Sequence, residues 1–103
     1  MNYRVVVTAE ADRNVDEIYG WIAERSPQGA AHWFAAFLEA VDSLIVEPER
    51  HPLAPESTHF SKAVRQLLFK TRRGRRYRVL FNVEGTTVSV VYVRGPGQAP
   101  LTE

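Results

Sequence analysis

The chain has 103 residues and a formal net charge of +1, and hydrophobic residues make up 45% of it. This size and composition are typical of one globular domain and exclude a wholly disordered chain. Because there is no cysteine, disulfides and thiolate metal sites are excluded. No apolar segment is long enough to predict a signal peptide or a membrane span, so we expect a cytoplasmic protein.

The charges are distributed unevenly along the chain. Residues 1–61 carry four arginines and ten acidic residues, a net charge of −6, whereas residues 62–103 carry nine basic and two acidic residues, a net charge of +7. This separation predicts an anionic partner for the second half, either nucleic acid or an acidic protein segment. The alternative is that the two halves neutralise each other within the fold, although five arginines within residues 72–78 cannot easily all reach acidic residues.

The first predicted elements are a short strand and a helix. Residues 3–8, YRVVVT, are rich in β-branched residues, which predicts a strand, and Thr8 is a candidate N-cap for the helix that follows. Apolar residues then recur at spacings of three and four on one helical face: Ala11, Val15, Ile18, Tyr19 and Ile22. Trp21 lies on the flank of this face.

A second helix is predicted from Ser26-Pro27, which places Ser at the N-cap and Pro at the first helical position, and Pro48 is expected to end it. The link between the helices is short, so we expect an antiparallel hairpin whose apolar faces pack on a sheet. The apolar face of the second helix consists of Phe34, Phe37, Leu38, Val41, Leu44 and Ile45. Trp21 and Trp33 are interpreted as helix-packing residues that would mark a protein interface if they are exposed.

Residues 47–63 contain three prolines and no clear periodicity. This predicts a long connection that is either irregular and packed or functional. His51 and His59 are isolated within it, without acidic residues at ligand spacing, so hydrogen-bonded or surface histidines are favoured over metal ligands. No metal or other cofactor is therefore expected.

Residues 61–94 predict an antiparallel meander, because three apolar segments are separated by turn signals at Arg73-Gly74 and Glu84-Gly85. The predicted fold class is therefore α+β, with an N-terminal strand, an antiparallel two-helix hairpin and a three-stranded antiparallel meander forming one sheet. We expect residues 1–94 to form a single domain and residues 95–103 to be a mobile C-terminal tail.

Alternation along the middle strand predicts Tyr77, Val79 and Phe81 on the face beneath the helices. Arg76 and Arg78 would then point to the opposite, open face. In the last strand, Val88, Val90 and Tyr92 alternate with Thr87, Ser89, Val91 and Val93, and Tyr77 and Tyr92 are expected in the core. Pairing across a two-residue turn would place Arg78 and Arg94 on opposite faces unless the strand end twists or bends.

The order of these elements resembles the RelE/ParE toxin superfamily of bacterial type II toxin–antitoxin modules over nearly the whole chain. The segments that carry the resemblance are Ser26-Pro27-Gln28, Pro52-Leu53-Ala54-Pro55-Glu56, Val64-Arg65-Gln66-Leu67 and Arg76-Tyr77-Arg78-Val79-Leu80-Phe81. The resemblance implies a growth-inhibiting toxin, associated with plasmid stabilisation and neutralised in a hetero-oligomer by an antitoxin that covers the sheet and the helix hairpin. We expect Trp21, Trp33 and Arg78 to contact that antitoxin.

The two branches of this superfamily imply different activities. RelE-like toxins cut ribosome-bound mRNA without a metal, which requires groups that stabilise the phosphate and groups that transfer protons. Arg78 and Arg94 match the phosphate-stabilising positions and Lys70 is the nearest lysine, but neither Tyr nor His follows Arg94. The sequence therefore favours the ParE-like branch, which acts on DNA gyrase. The alternative is a RelE-like endonuclease in which Arg78, Arg94 and Lys70 are catalytic.

A group of arginines around the first turn of the meander is the candidate anion- or target-binding surface: Arg65, Arg72, Arg73, Arg75 and Arg76. They are expected to bind phosphates, or else they form a solvated turn that protects a sheet edge. A further hypothesis is therefore a non-toxic module that binds only its antitoxin or nucleic acid.

Overall fold

The computed structural model describes residues 2–72 and 74–96. One strand comes first, two helices follow, and three further strands complete a sheet of four, which confirms the predicted α+β fold class. The elements are β1 (Arg4–Val7), α1 (Ala9–Ala23), α2 (Pro27–Ser43), β2 (Arg65–Phe69), β3 (Tyr77–Glu84) and β4 (Thr87–Arg94). Two 3-10 helices, Pro48–Arg50 and Pro55–His59, lie between α2 and β2.

The strand order in the sheet is β1-β4-β3-β2. β2, β3 and β4 form the predicted antiparallel meander, whereas β1 pairs in parallel with β4. A parallel pair needs a long crossover connection, and here the helix hairpin lies within that connection. The first and last strands of the chain are therefore neighbours.

The predicted helix starts are confirmed by their capping hydrogen bonds. The Thr8 Oγ1 atom accepts from the Ala11 N–H at 3.3 Å, and the Ser26 Oγ atom accepts from the Gly29 N–H at 2.9 Å. The end of α2 differs from the expectation, because the helix stops at Ser43 rather than near Pro48. The reason is tertiary: the Tyr3 N–H donates to the Ile45 carbonyl, so the chain leaves the helix to run beside the N-terminal segment.

The main core lies between the helices and one face of the sheet. Its buried residues are Ala11, Val15, Trp33, Phe37, Leu44, Val79, Phe81, Val88, Val90 and Val93. The predicted burial of Val79 and Phe81 beneath the helices is confirmed, and Tyr77 is half-buried against the same core. Burial of this continuous apolar surface is the main force that holds the hairpin on the sheet.

The predicted apolar face of α2 is partly wrong. Phe34 and Leu38 are 38% and 51% exposed, whereas Trp33 is only 2% exposed. Trp33 contacts the sheet, where its ring packs against the rings of Phe69 and Tyr77. Phe37, Val41 and Leu44 do lie on the core side, so the core-facing line is rotated from the predicted one toward Trp33 by less than one residue position.

The second face of the sheet is covered, so the predicted open face is wrong. Leu80 is fully buried on this face and packs with Ala54 and Val64, with Phe60 at its margin. Residues 48–63 form the cover, and the expectation of an irregular, packed connection is confirmed. The sheet is therefore buried on both faces at its centre.

A β-bulge changes the register in the middle of the β3–β4 pair. From the turn outward Phe81 pairs with Val90, but the next pair is Leu80 with Tyr92, which leaves Val91 as the extra residue. One extra residue reverses the facing of every later residue on that strand. Tyr92 therefore leaves the main core, where it was expected, and packs against Phe60 on the second face.

Candidate functional site

Arg78 is held by an ion pair with an acidic residue of the first half of the chain, in line with the alternative that the two halves neutralise each other within the fold. Its Nη1 and Nη2 atoms donate to the two carboxylate oxygens of Glu56 at 2.8 and 2.6 Å, and Nη1 also donates to the Gln66 Oε1 atom at 3.1 Å. The Glu56 side chain is fully buried, and that of Arg78 is 19% exposed. The hydrogen bonds that Arg78 donates to Glu56 raise the pKa of Arg78 above its ordinary value. A phosphate that bound Arg78 in this way would have to replace the Glu56 carboxylate.

The bulge places Arg94 directly opposite Arg78. The two residues are Cα partners in the β3–β4 register, so they share one face of the sheet. Without the extra residue the pairing would have put them on opposite faces, as a regular two-residue hairpin predicts. The structure thus brings together the two arginines of the alternative endonuclease hypothesis, with Glu56 bound to one of them.

Arg65 lies on the other face of the sheet from Arg78 and Arg94. It pairs with Phe81, which is on the main-core face, and its Nη1 atom donates to the His51 carbonyl oxygen at 2.7 Å. This half-buried guanidinium fixes the loop before β2 to the strand. Its position separates Arg65 from the other candidate anion-binding residues.

The remaining candidate cations form what we call the basic tip, residues 70–76 in the turn between β2 and β3. Lys70, Arg72, Arg75 and Arg76 are all exposed, and among the described residues none of them forms an ion pair. Arg73, also predicted for this surface, lies outside the described residues. Residues 70–76 hold the densest concentration of positive charge in the sequence.

A cleft of about 1710 Å³ separates the basic tip from the helix hairpin. Lys70, Arg72 and Arg75 line one wall, and Glu17 and Glu39 lie on the helical side. Apolar residues of both helices also line it, among them Ile18, Trp21, Ile22, Trp33, Ala35 and Ala36, together with polar residues such as Gln28, His32 and Thr71. Gly95 and Pro96, the first residues of the predicted mobile tail, are half-buried beside the cleft, while residues 97–103 lie outside the described part of the chain.

The two tryptophans of the predicted antitoxin surface have different environments. Trp21 is 58% exposed at the cleft, with the Arg25 guanidinium stacked 3.7 Å from its ring centroid. Trp33 is a core residue that reaches the cleft only from below, so its side chain offers almost no surface to a partner. Of this pair, only Trp21 meets the condition of exposure that the sequence analysis set for an interface residue.

The charge separation in the sequence persists in the fold. The ion pair Arg78–Glu56 joins the acidic first part of the chain to the basic second part. Other pairs lie within one part, such as Lys62–Glu84. The described cations of the basic tip, Lys70, Arg72, Arg75 and Arg76, take no part in these pairs.

The described residues provide few groups for other chemistry. Among them, no three His, Asp or Glu side chains lie close enough together to hold a metal ion. No helix in the described part of the chain is long and apolar enough to cross a membrane. His51 is partly buried against the ring of Phe81, and this burial, with Arg50 and Arg65 nearby, lowers the pKa of its imidazole.

Glu56 is the site residue that the sequence analysis missed. Its signal was present, because Glu56 is the last acidic residue before a stretch without any until Glu84, and Arg78 lies within that stretch. The buried carboxylate and the strand arginine are 22 residues apart, so no local periodicity connects them. Only the folding of the 48–63 connection over the sheet brings them together.

The comparisons with known proteins agree with this architecture. The family model described as the ParE toxin of type II toxin–antitoxin system, parDE, matches residues 5–100. The fold is similar to that in the chromosomal ParDE toxin–antitoxin system from P. aeruginosa, with a TM-score of 0.62 and 18% identity over 89% of this chain and 94% of that one. It is also similar to a chain of the RelBE2 toxin–antitoxin complex from Mycobacterium tuberculosis, with a TM-score of 0.52 and 26% identity over 91% of this chain and 98% of that one.

No curated protein sequence matches the chain. The family match nevertheless spans β1 to β4 and both helices, which are the elements that build the sheet, the covered arginine and the cleft. On that match, the chain belongs to the family of ParE toxins of type II toxin–antitoxin systems.

Proposed function

We propose that the free protein inhibits growth by acting on DNA gyrase, and that a cognate antitoxin neutralises it by occupying the cleft. Membership of the ParE family supports a toxin of a type II module. The similar chains belong to a ParDE system and to a RelBE2 toxin–antitoxin complex, which supports an antitoxin as the partner here. Both the proposed target and the proposed antitoxin imply a cytoplasmic location.

The observation that carries the antitoxin proposal is the lining of the cleft. The exposed Trp21 lines the cleft together with apolar residues of both helices, and Lys70, Arg72 and Arg75 line it from the turn between β2 and β3. Such a surface suits an amphipathic segment whose apolar side covers Trp21 and whose acidic side meets Lys70, Arg72 and Arg75. A buried aromatic anchor of this type commonly contributes much of the binding energy of an interface.

The gyrase target is favoured over RNA cleavage by the state of Arg78. Its guanidinium is already bound through both Nη atoms to Glu56, and Arg94 is followed by neither Tyr nor His. Metal-free RNA cleavage would need a base for the 2′-hydroxyl and an acid for the leaving oxygen. Within hydrogen-bond distance Arg78 has the Glu56 carboxylate and the Gln66 amide, and the carboxylate is already bound by both Nη atoms of the guanidinium.

Induction of the gene in cells tests the toxin proposal directly. We expect growth to stop, DNA to accumulate gyrase-linked breaks, and co-expression of the neighbouring small gene to restore growth. A chain that leaves growth unchanged is a non-toxic binding module, and the proposal is then wrong.

The second candidate function is RelE-like cleavage of ribosome-bound mRNA, and the pairing of Arg78 with Arg94 on one face favours it. Primer extension on translated messages after induction distinguishes the two activities. Codon-phased cuts that disappear in Arg94→Ala would support the endonuclease, whereas intact messages with gyrase-linked breaks support the ParE-like activity.

The proposed antitoxin surface is tested with a matched pair of substitutions. Trp21→Ser removes the exposed aromatic at the cleft, and we expect it to weaken antitoxin binding by about 30-fold or more, the effect of losing an interface hot spot. Val46→Ser removes a similarly exposed apolar side chain that does not line the cleft. Calorimetric titration should give nearly wild-type affinity for Val46→Ser, and equal losses in both variants would place the antitoxin elsewhere.

A further inference from the structure

We propose that the basic tip binds the phosphate backbone of double-stranded DNA without reading its sequence, and that the antitoxin and DNA compete for the same cations. The proposal of DNA binding depends only on the residues of the basic tip. The competition rests on the antitoxin site proposed above. Together they assign a second ligand class to cations of which the antitoxin proposal uses only Lys70, Arg72 and Arg75.

The first argument is the charge and exposure of the basic tip. Lys70, Arg72, Arg75 and Arg76 lie within seven residues and all are exposed. The chain has no acidic residue between Glu56 and Glu84, and Glu56 is bound to Arg78 on the second face of the sheet. These cations therefore remain available to an external polyanion, and their mutual repulsion in the free protein is relieved when they bind one.

The second argument is the chemistry that the tip lacks. None of the exposed large hydrophobic residues of the described chain falls within residues 70–76, so the tip has no apolar anchor of the kind that dominates protein interfaces. Its nearest aromatic, Tyr77, is half-buried and stacks on Phe69, so it offers no free ring on which an unpaired base could stack. A group of cations without apolar or stacking groups suits the backbone of a duplex.

The third argument is the direction from which DNA can approach. Glu17 and Glu39 line the helical side of the cleft, so phosphates are repelled from its interior. Arg76 does not line the cleft, and it extends the cationic surface to the outside of the turn. DNA would therefore contact the tip from outside, while a segment within the cleft would engage Lys70, Arg72 and Arg75 from the other side. Because these three cations are shared, both ligands cannot be fully bound at once.

Binding of a short fluorescein-labelled duplex of mixed sequence, followed by anisotropy over a series of salt concentrations, tests the proposal on the purified chain. With four phosphate contacts, the logarithm of the association constant should fall against the logarithm of salt concentration with a slope of about −3 to −4. Two duplexes of unrelated sequence should bind equally. A labelled single strand that binds more tightly than the duplex would overturn the assignment to duplex DNA.

Two triple variants with the same change in net charge separate the tip from general electrostatics. Arg72→Gln/Arg75→Gln/Arg76→Gln removes three tip cations and should reduce the salt slope by about 2.7, leaving little binding. The control, Arg4→Gln/Arg13→Gln/Arg50→Gln, removes three exposed arginines outside the tip. It should retain the wild-type slope, and both proteins are checked for unchanged thermal unfolding. No binding by the wild type at low salt, or equal loss in the two variants, overturns the proposal.

Addition of the cognate antitoxin tests the competition. A saturating amount of an antitoxin fragment that does not itself bind the duplex should release the labelled DNA. A stable complex of the protein, the fragment and the duplex would overturn the proposal that the two ligands share these cations. These binding measurements depend neither on gyrase nor on the effect of the protein on cell growth. If the protein binds duplex DNA but causes no gyrase-linked breaks, the proposed gyrase target is wrong and the inference of DNA binding stands. If it causes gyrase-linked breaks but does not bind duplex DNA, the DNA-binding inference is wrong and the proposed target stands.

Discussion

At the level of single residues, the buried pair between Arg78 and Glu56 is the feature with the largest consequence. A strand arginine that looks like a surface group in the sequence anchors residues 48–63 to the sheet through a fully buried carboxylate. Such pairs contribute little net stability relative to apolar residues, but removing one partner is costly because the other stays buried with its charge.

Removing Arg78 alone should therefore be far worse than replacing both members of the pair. We expect Arg78→Met to lower the free energy of unfolding by about 3–5 kcal/mol, and Arg78→Met/Glu56→Leu to recover most of that loss. Urea denaturation followed by tryptophan fluorescence measures both. The control is Lys62→Met in the exposed Lys62–Glu84 pair, where we expect a loss of about 0–1 kcal/mol. Additive losses in the double variant would contradict this interpretation of the pair.

His51 should make stability depend on pH. Burial against Phe81 and the charges of Arg50 and Arg65 lower its pKa in the folded state, so below about pH 6.5 the unfolded chain binds a proton at this site more readily than the folded one. The resulting stabilisation is complete above pH 6.5 and is lost as the pH falls through the folded-state pKa. His51→Asn should flatten this part of the curve of unfolding free energy against pH. An unchanged curve for His51→Asn would contradict this role of the histidine.

At the level of secondary-structure elements, local signals define the helix starts and the β3–β4 hairpin. The caps at Thr8 and Ser26 and the positive φ of 59° at Gly85 all follow from residue types that suit those positions. The bulge at Val91 has no such signal. The Val93 N–H beyond it donates to the Asn14 Oδ1 atom at 3.0 Å, so α1 supplies the hydrogen bond that this part of β4 needs.

Two glycines give opposite predictions for the same substitution. Gly85→Ala forces a side chain into the left-handed region and should cost about 1–2 kcal/mol of unfolding free energy. Gly20→Ala lies inside α1 with open space around the added methyl group, so it should stabilise by about 0.5–1 kcal/mol. Thermal unfolding measures both. Equal signs for the two variants would mean that the turn at Gly85 adopts another conformation.

At the level of the whole molecule, the sheet is a central layer with cover on both sides. The helix hairpin covers one face, and residues 48–63 cover the other. This arrangement leaves the described cations of the basic tip exposed beside the cleft, whereas Arg78 on the second face is paired with Glu56.

The buried cluster of Ala54, Val64 and Leu80 on the second face should contribute to the free energy of unfolding as a packed core does. Leu80→Ala removes a fully buried side chain beneath residues 48–63 and should cost about 2–5 kcal/mol. Leu68→Ala, on the adjacent strand but 46% exposed, should cost about 0.5 kcal/mol or less. Equilibrium urea unfolding compares them. A loss below about 1 kcal/mol for Leu80→Ala would indicate that the connection is a loose cover rather than a packed layer.

The sequence by itself determined the elements and the main-core face of β3. Caps, turn glycines and alternation act over a few residues, so they can be recognised without a fold, as Ser26, Gly85 and the Val79/Phe81 pair show. The orientation of α2 was only partly predictable, because Trp33 and Phe34 are neighbours of similar hydrophobicity. Trp33 faces the sheet because its ring packs against the rings of Phe69 and Tyr77, a contact that the sequence pattern does not reveal.

The tertiary structure alone decided the parallel placement of β1 beside β4, the cover over Leu80 and the partner of Arg78. It also decided that Arg94 faces the same side as Arg78, because one extra residue at Val91 reverses the alternation that the sequence pattern assumes. These features join segments far apart in the chain, and their free energy comes from contacts that exist only once the sheet has formed.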